Sequence, residues 1–572
     1  MFYAILILWE VLELDKKKKV AIGYENFKEL IDKNLYYVDK TMFIYDLIQN
    51  NSKVSLITRP RRFGKTLNFS MLKYFFSITE KENAYIFDGL KISEHYDELK
   101  DFRNAYPVIS LSMKGGKQPD FDNALDSLCN EIRNKFIDYS YILKGDILEP
   151  ELKEKFHAIY TCRTTSVTVF KESIKVLSEC LERYYGKKTV ILIDEYDVPL
   201  ENSYFCGFYD KMIGFIRSLF ESALKTNDAL EFAVITGCLR VSKESIFTGL
   251  NNLKVNSILV NNYAEYFGFE ECEVKELLDY YDLGEYFDIT KSWYDGYTFG
   301  DKDVYNPWSV VNYASRLLTE SDKFPYNEWV NSSSNSIIRK LVNEADETTK
   351  SDVERLIIGG SVRARLDETV TYADLDAKIE NMWNFLFFTG YLKNVKVEIV
   401  NDKRWYDLVI PNKEIKQCYE DIIITYFEKQ KKTVDRNELF NALLERDTNK
   451  FGRIITDLLK RSISFYDGNE SFYHGLISGM LANSYYYRLE SNRESGDGRY
   501  DIALYQEDEL ETAIIIEIKL CDKKEGLKDC CKRALKQIDD KHYSAEAESL
   551  GYTNIIKYGI AFKNKLCGAM CE

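Results

Sequence analysis

Lys53-Val54-Ser55-Leu56-Ile57-Thr58, Arg59-Pro60-Arg61-Arg62-Phe63-Gly64-Lys65-Thr66 and Leu67-Asn68-Phe69-Ser70-Met71-Leu72-Lys73-Tyr74-Phe75-Phe76 form one continuous stretch whose reading decides the fold. The first run is a short strand candidate, and the third has apolar residues at helical spacing. The loop between them ends in Gly-Lys-Thr, where backbone N–H groups and a helix N-terminus converge and attract phosphate. In such a loop Lys65 supplies a point charge to the outer phosphates, and the Thr66 hydroxyl supplies a ligand for Mg²⁺. Arg61, Arg62, Phe63 and Gly64 complete the candidate cradle. The usual spacing sets a glycine at the position held here by Arg59. Read as a string alone, the loop is therefore weak, and support has to come from further along the chain.

Val190-Ile191-Leu192-Ile193 supplies that support, because a buried-strand run ends in Asp194-Glu195. Ligands of parallel sheets bind at the carboxyl ends of the strands. Asp194 is expected to hold the Mg²⁺ shell and Glu195 to polarise an attacking water. Ala233-Val234-Ile235-Thr236-Gly237 ends another strand in a polar residue, with Arg240 just beyond it. Thr236 and Arg240 suit a sensor of the terminal phosphate, although an ordinary strand end explains them equally well. With Val108–Ser112 as a further strand and helical patterns between, the alternation predicts a parallel sheet covered on both faces.

At 572 residues the chain exceeds one ordinary core. We expect an extension at 1–20, a P-loop α/β domain at 21–308, a mostly helical connecting region at 309–460 and a second α/β domain at 461–572. Hydrophobic residues at 45% and charged residues at 30% fit a folded soluble protein rather than a disordered or membrane class. A net charge of −15 excludes coating of nucleic acid through bulk charge and leaves room only for a local basic groove. The run Phe2–Leu14 contains Trp9, Glu10 and Glu13 and falls short of the roughly 20 apolar residues that span a bilayer, so it reads as a packed helix and no membrane partner is expected. Twelve cysteines without regular spacing suggest neither a zinc knuckle nor a disulfide framework, which fits a reducing cytoplasm.

The last hundred residues carry a second constellation. Gly498-Arg499-Tyr500-Asp501 precedes Ile514-Ile515-Ile516-Glu517-Ile518-Lys519. On a strand Glu517 and Lys519 share a face, while Ile518 points the other way. Asp501 and Glu517 are then placed to hold Mg²⁺ at a phosphodiester, and Lys519 to orient water or offset phosphate charge. A solvated hairpin also alternates charged with apolar residues, but Ile514–Ile516 predicts a buried strand in which a carboxylate needs a reason. The segment Lys519–Lys541 has a local excess of Lys and Arg that suits a phosphate backbone or a solvated amphipathic helix alike. His474 and His542 lack metal-ligand spacing and read as core or surface residues.

Several phrases together resemble a bacterial AAA-ATPase-like family whose members carry a C-terminal PD-(D/E)XK nuclease-like domain. They are Gly23-Tyr24-Glu25-Asn26-Phe27, Tyr37-Val38-Asp39-Lys40-Thr41, Arg59 to Thr66, Asp194-Glu195-Tyr196-Asp197, the run from Thr236 to Asn252 through Arg240–Phe247, and Trp293-Tyr294-Asp295-Gly296-Tyr297. The resemblance implies a P-loop NTPase sheet and a restriction-endonuclease-like α/β domain, and it makes Arg59 the family's own form of the loop. It also implies Gln537 as an added polar site residue and Glu470, in Glu470-Ser471-Phe472-Tyr473-His474-Gly475, as an outer carboxylate. A Glu that opens a helix is equally explained by the macrodipole. The expected activity is ATP binding and hydrolysis with Mg²⁺, coupled to metal-dependent cleavage of nucleic acid, DNA being favoured, in a monomer or an oligomer. The alternative is a nucleotide-dependent switch whose C-terminal domain binds nucleic acid or a protein without cutting.

Overall fold

The computed structural model describes residues 17–161, 167–240, 246–247, 251–329, 347–357, 359–368, 371–374, 379–430, 436–461, 470–481, 487–491, 494–495, 498–506, 511–522 and 524–572. The expected N-terminal helix of Phe2–Leu14 and residues 241–245 of the Arg240–Phe247 phrase lie outside them. Two compact units result: Met1–Ser333 with Arg363–Ile415, and Ser334–Val362 with Lys416–Glu572.

The first unit is built on five parallel strands, β1 (Val54–Thr58), β2 (Val108–Ser112), β3 (Thr189–Asp194), β4 (Leu230–Gly237) and β5 (Leu253–Asn256), in the order β2-β3-β4-β1-β5. Every residue of β1 and β3 is buried, as expected where helices cover both faces of a parallel sheet. The order has one consequence for the chemistry. The strand that feeds the Gly-Lys-Thr loop and the strand that ends in Asp194 are not neighbours, because β4 with Thr236 lies between them. The short edge strand β5 was not among the strands expected from sequence.

The rest of this unit holds a hairpin and a second small sheet that begins at Val362, where the chain passes from one unit to the other. The hairpin of β6 (Tyr297–Phe299) and β7 (Lys302–Val304) follows the helix Phe287–Tyr294. A three-stranded sheet runs in the order β8-β10-β9, from β8 (Val362–Ala364), β9 (Lys393–Val400) and β10 (Lys403–Val409). The stretch 309–460, read from sequence as one mostly helical connection, thus contains a sheet and is shared between the two units.

The second unit centres on a mixed sheet. Its short strands β12 (Glu494–Ser495) and β13 (Gly498–Arg499) pair with each other. The main sheet has the order β11-β14-β15-β16-β17, from β11 (Tyr487–Ser491), β14 (Ile502–Gln506), β15 (Thr512–Leu520), β16 (Asn554–Lys563) and β17 (Leu566–Cys571). The helix Leu527–Asp540 crosses from β15 to its parallel neighbour β16. It lays Cys530, Cys531, Ala534, Leu535 and Ile538 inward, the stripe that a 3.6-residue period dictates. It sits so close to the sheet that a Cβ at Gly559 would come within 2.3 Å of the Cys531 carbonyl. Among the described residues no helix is long and apolar enough to cross a membrane.

Candidate functional site

Arg59 is fully buried where the usual loop has glycine. Its guanidinium donates to the carbonyls of Thr58 at 2.8 Å, Asn256 at 2.9 Å and Asn262 at 3.1 Å. It also lies 5.4 Å from the Phe267 ring centre and 5.1 Å from that of Phe299. Burial lowers its pKa to about 9, yet the three carbonyls and two ring faces suit a cation. Arg59 thus ties the start of the loop to β5 and the chain beyond it. Each following residue is anchored as well. Pro60 packs on Gly390, Arg61 pairs with Glu201, Arg62 lies 4.1 Å over the Trp308 ring, and the buried Phe63 meets Tyr297 at 5.0 Å and Phe299 at 5.1 Å.

The phrases around Trp293–Tyr297 and Asn306–Trp308, far away in sequence, therefore form the backing of the loop. Trp329 continues it, its indole N–H donating to the Arg61 carbonyl at 3.3 Å. Glu414 fixes Trp329 in turn: its buried carboxylate accepts from the backbone N–H groups of Glu328 and Trp329, both at 2.9 Å, and from the Ser309 hydroxyl. Burial raises the Glu414 pKa to about 8. No periodicity marks Trp329 or Glu414 in the sequence.

Gly64, at φ 78°, turns the chain into the helix Lys65–Phe76. The buried Lys65 ammonium donates to the carbonyls of Arg59 at 2.9 Å and Pro60 at 2.8 Å and approaches the Cys238 sulfur at 3.7 Å. Thr66 is the second residue of that helix and partly exposed. Across β4, the Thr236 hydroxyl donates to Asp194 Oδ1, which joins the strand-end residue to the acid. Glu195 takes a positive φ of 54°, an unusual conformation for a glutamate, and burial together with the Asp194 charge raises its pKa. Asp197 is buried and accepts from the N–H groups of Cys238 at 2.8 Å and Leu239 at 3.0 Å, holding the end of β4. Asp197 belongs to the Asp194–Asp197 phrase, but nothing in the sequence marks it for this role. Arg240 is paired at 3.6 Å with Glu368, whose other oxygen accepts from Ser257. They line a cleft with Thr58, Asn384 and Phe385.

In the second unit the register fixes the geometry. Ile502 faces Ile516, so Asp501, one residue before β14, stands beside Glu517. Asp501 Oδ2 accepts from the Ile518 N–H at 2.7 Å, and its carbonyl lies 2.7 Å from His474 Nε2. Glu517 is 1% exposed. Its Oε1 takes Gln537 Nε2 and, at 2.8 Å, Lys519 Nζ, while its buried Oε2 has no hydrogen-bond partner among the described residues. Burial, then the nearby Asp501 charge, raises the Glu517 pKa to about 7, and burial raises that of Asp501. Burial works against the Lys519 charge, but Glu517 and Glu470 outweigh it and raise its pKa. Glu470 reaches Lys519 at 3.1 Å. Asp501, Glu517, Lys519, Gln537 and Glu470 therefore form one cluster. Two carboxylates side by side, one with an orphaned oxygen, fit a divalent cation. Among the described residues no three His, Cys, Asp or Glu side chains gather to hold a metal by themselves, so a cation would rest on this pair and on water.

Residues 21–247 match the family model described as Predicted AAA-ATPase, and residues 468–571 match that of the PD-(D/E)XK nuclease superfamily. The chain joins an AAA-ATPase-like domain to a PD-(D/E)XK nuclease-superfamily domain. It is also 26% identical, over 438 residues covering 75% of each chain, to a protein of Azotobacter chroococcum mcd 1 described as an uncharacterized protein in the vnfD 5′ region. The AAA-ATPase-like match contains the loop, Asp194 and Thr236. Trp308, Trp329, Gly390 and Glu414, which back the loop, fall outside both matches. The nuclease-superfamily match spans the whole Asp501 cluster, including Glu470.

Proposed function

We propose that this protein binds and hydrolyses ATP at the AAA-ATPase-like site and cleaves phosphodiester bonds of nucleic acid, DNA being favoured, at the nuclease-superfamily site. The observation that carries the reading is the paired carboxylate cluster: Glu517 is buried beside a second acid with one oxygen unsatisfied among the described residues, an arrangement that costs stability unless a cation completes it.

At the first site Lys65, Gly64 and the N-terminus of its helix bind the phosphates, and Arg61 and Phe63 hold the loop's shape. Thr66 and Asp194 are the residues that would hold Mg²⁺. Glu195 orients the attacking water and accepts its proton, an assignment favoured by a raised pKa next to Asp194. Thr236 reports the state of Asp194 along β4. Arg240, freed from Glu368, would reach the terminal phosphate.

At the second site Asp501 and Glu517 would hold Mg²⁺, which when bound lowers the pKa of water and offsets charge on the phosphate. Lys519 orients the nucleophile, and Gln537 and Glu470 fix Glu517 and Lys519 in place. Lys65→Ala should abolish ATP turnover and leave Glu517 chemistry intact; equal turnover in the variant would remove the phosphate-loop assignment. Glu517→Ala should abolish Mg²⁺- or Mn²⁺-dependent cleavage. If wild type cuts no duplex DNA, single strand or RNA, with or without ATP, the reading becomes that of a nucleotide-dependent binding switch.

A further inference from the structure

Strand β9 is at the edge of the three-stranded sheet, so among the described strands one of its two rows of backbone N–H and C=O groups faces none. From Lys396 to Val400 its side chains alternate, and its register with β10 shifts at Val395, between the Asp407–Lys396 and Leu408–Asn394 partners. Val397 and Ile399 share one face, on which Val397 stands opposite the buried Tyr406 of β10 and Ile399 opposite the exposed Arg404, while Val395 stands at the shift. Val395, Val397 and Ile399 are 57%, 47% and 70% exposed. A run of exposed apolar residues at a free edge is what a sheet shows where another strand adds to it. The opposite face carries Lys396 and Glu398, which pair with each other, and Glu398 also pairs with Arg363.

We propose that β9 pairs with β9 of a second copy of this chain, antiparallel about a two-fold axis at Val397. In that register Val397 faces Val397, and Lys396 of each copy faces Glu398 of the other. The apolar face becomes continuous across the axis, and both cross-strand charge pairs are favourable. Moving the axis to Val395 or Ile399 loses both Lys–Glu pairs, and a slip of one residue turns the apolar row to the wrong face. The strand is thus complementary to itself in one register, and this selects a second copy over an unrelated strand as its occupant. The pairing does not depend on the catalytic readings above.

The test is sedimentation velocity of the full chain across a concentration series, with circular dichroism as the check on folding. Wild type should show a concentration-dependent dimer. Lys396→Glu alone puts Glu opposite Glu, and Glu398→Lys alone puts Lys opposite Lys, so each should weaken self-association about tenfold or more. Mixing these two variants should restore a dimer, because each charge of one then meets its opposite on the other. Val397→Lys should abolish dimerisation. A wild type that stays monomeric overturns the proposal, as does a dimer indifferent to all three substitutions. Failure of the mixed single variants to associate overturns the register.

Discussion

At Glu517 the requirements of folding and of chemistry diverge. One carboxylate oxygen is well held by Gln537 and Lys519, while the other is buried beside Asp501 with no donor among the described residues. Its pKa in the folded chain, about 7, stands above the ordinary 4.5. A carboxyl raised in this way contributes stability that is fully present below its ordinary pKa and is lost as pH rises through the folded value. We therefore expect Glu517→Gln to abolish cleavage and, without divalent cation, to stabilise the nuclease-superfamily domain by about 1–2 kcal/mol at pH 8. The gain should vanish near pH 5, where the native carboxyl is already protonated. Thermal denaturation of both proteins at the two pH values measures the difference. A variant less stable than wild type at pH 8 would mean that the carboxylate is not strained. Asp501, Glu517 and Lys519 were legible from sequence because a period of two puts Glu and Lys on one face of an otherwise apolar strand. The Gln537 position came with the family resemblance, and Tyr543, which receives a 3.2 Å hydrogen bond from Gln537, carried no signal.

The phosphate loop is the element whose reading changed most between sequence and structure. Arg59 weakens the motif as a string, yet it is the side chain that fastens the loop to β5. Arg59→Gly, which recreates the ordinary spacing, should therefore harm the protein. It strips the Thr58, Asn256 and Asn262 carbonyls of their donor and empties the space between Phe267 and Phe299. The expected loss is about 3 kcal/mol or more, with weakened ATP binding, measured by denaturant unfolding and by nucleotide titration. Unchanged affinity would show that the loop holds its shape alone. Gly296 has φ 101°, and a Cβ there would meet the Pro411 carbonyl at 2.2 Å. Gly296→Ala should lower ATP turnover several-fold although it touches no phosphate-binding residue, because the adjoining Tyr297 packs on Phe63. Turnover equal to wild type would separate the backing from the site. Strands β1 to β4 and the Lys65–Phe76 helix were legible because each is a continuous or periodic apolar run. β9 and β10 were not, although Val395, Val397 and Ile399 alternate plainly, because the surrounding helical patterns dominated the reading of 309–460. Contacts such as Asn262 to Arg59, or Glu414 to Trp329, join residues that no local pattern connects.

At the scale of the whole molecule, two compact units each carry one complete cluster: Lys65, Asp194 and Thr236 in the first, Asp501, Glu517 and Lys519 in the second. Each of these side chains belongs to the unit that holds its cluster, so ligands should stabilise the units separately. A ligand that binds the native state at 100 times its Kd adds about 2.7 kcal/mol to the unit that holds it, a rise of several degrees in melting temperature. In differential scanning calorimetry of the full chain we expect ATP with Mg²⁺ to raise one transition, and Lys65→Ala to lose that rise while keeping the other transition in place. Mn²⁺ alone should raise the second transition, and Glu517→Ala should remove that effect without touching the response to nucleotide. If Lys65→Ala also abolishes the Mn²⁺ response, or Glu517→Ala the response to ATP, the sites are energetically linked even though their residues are not shared, and ATP binding acts on the cleavage site through the chain that joins them.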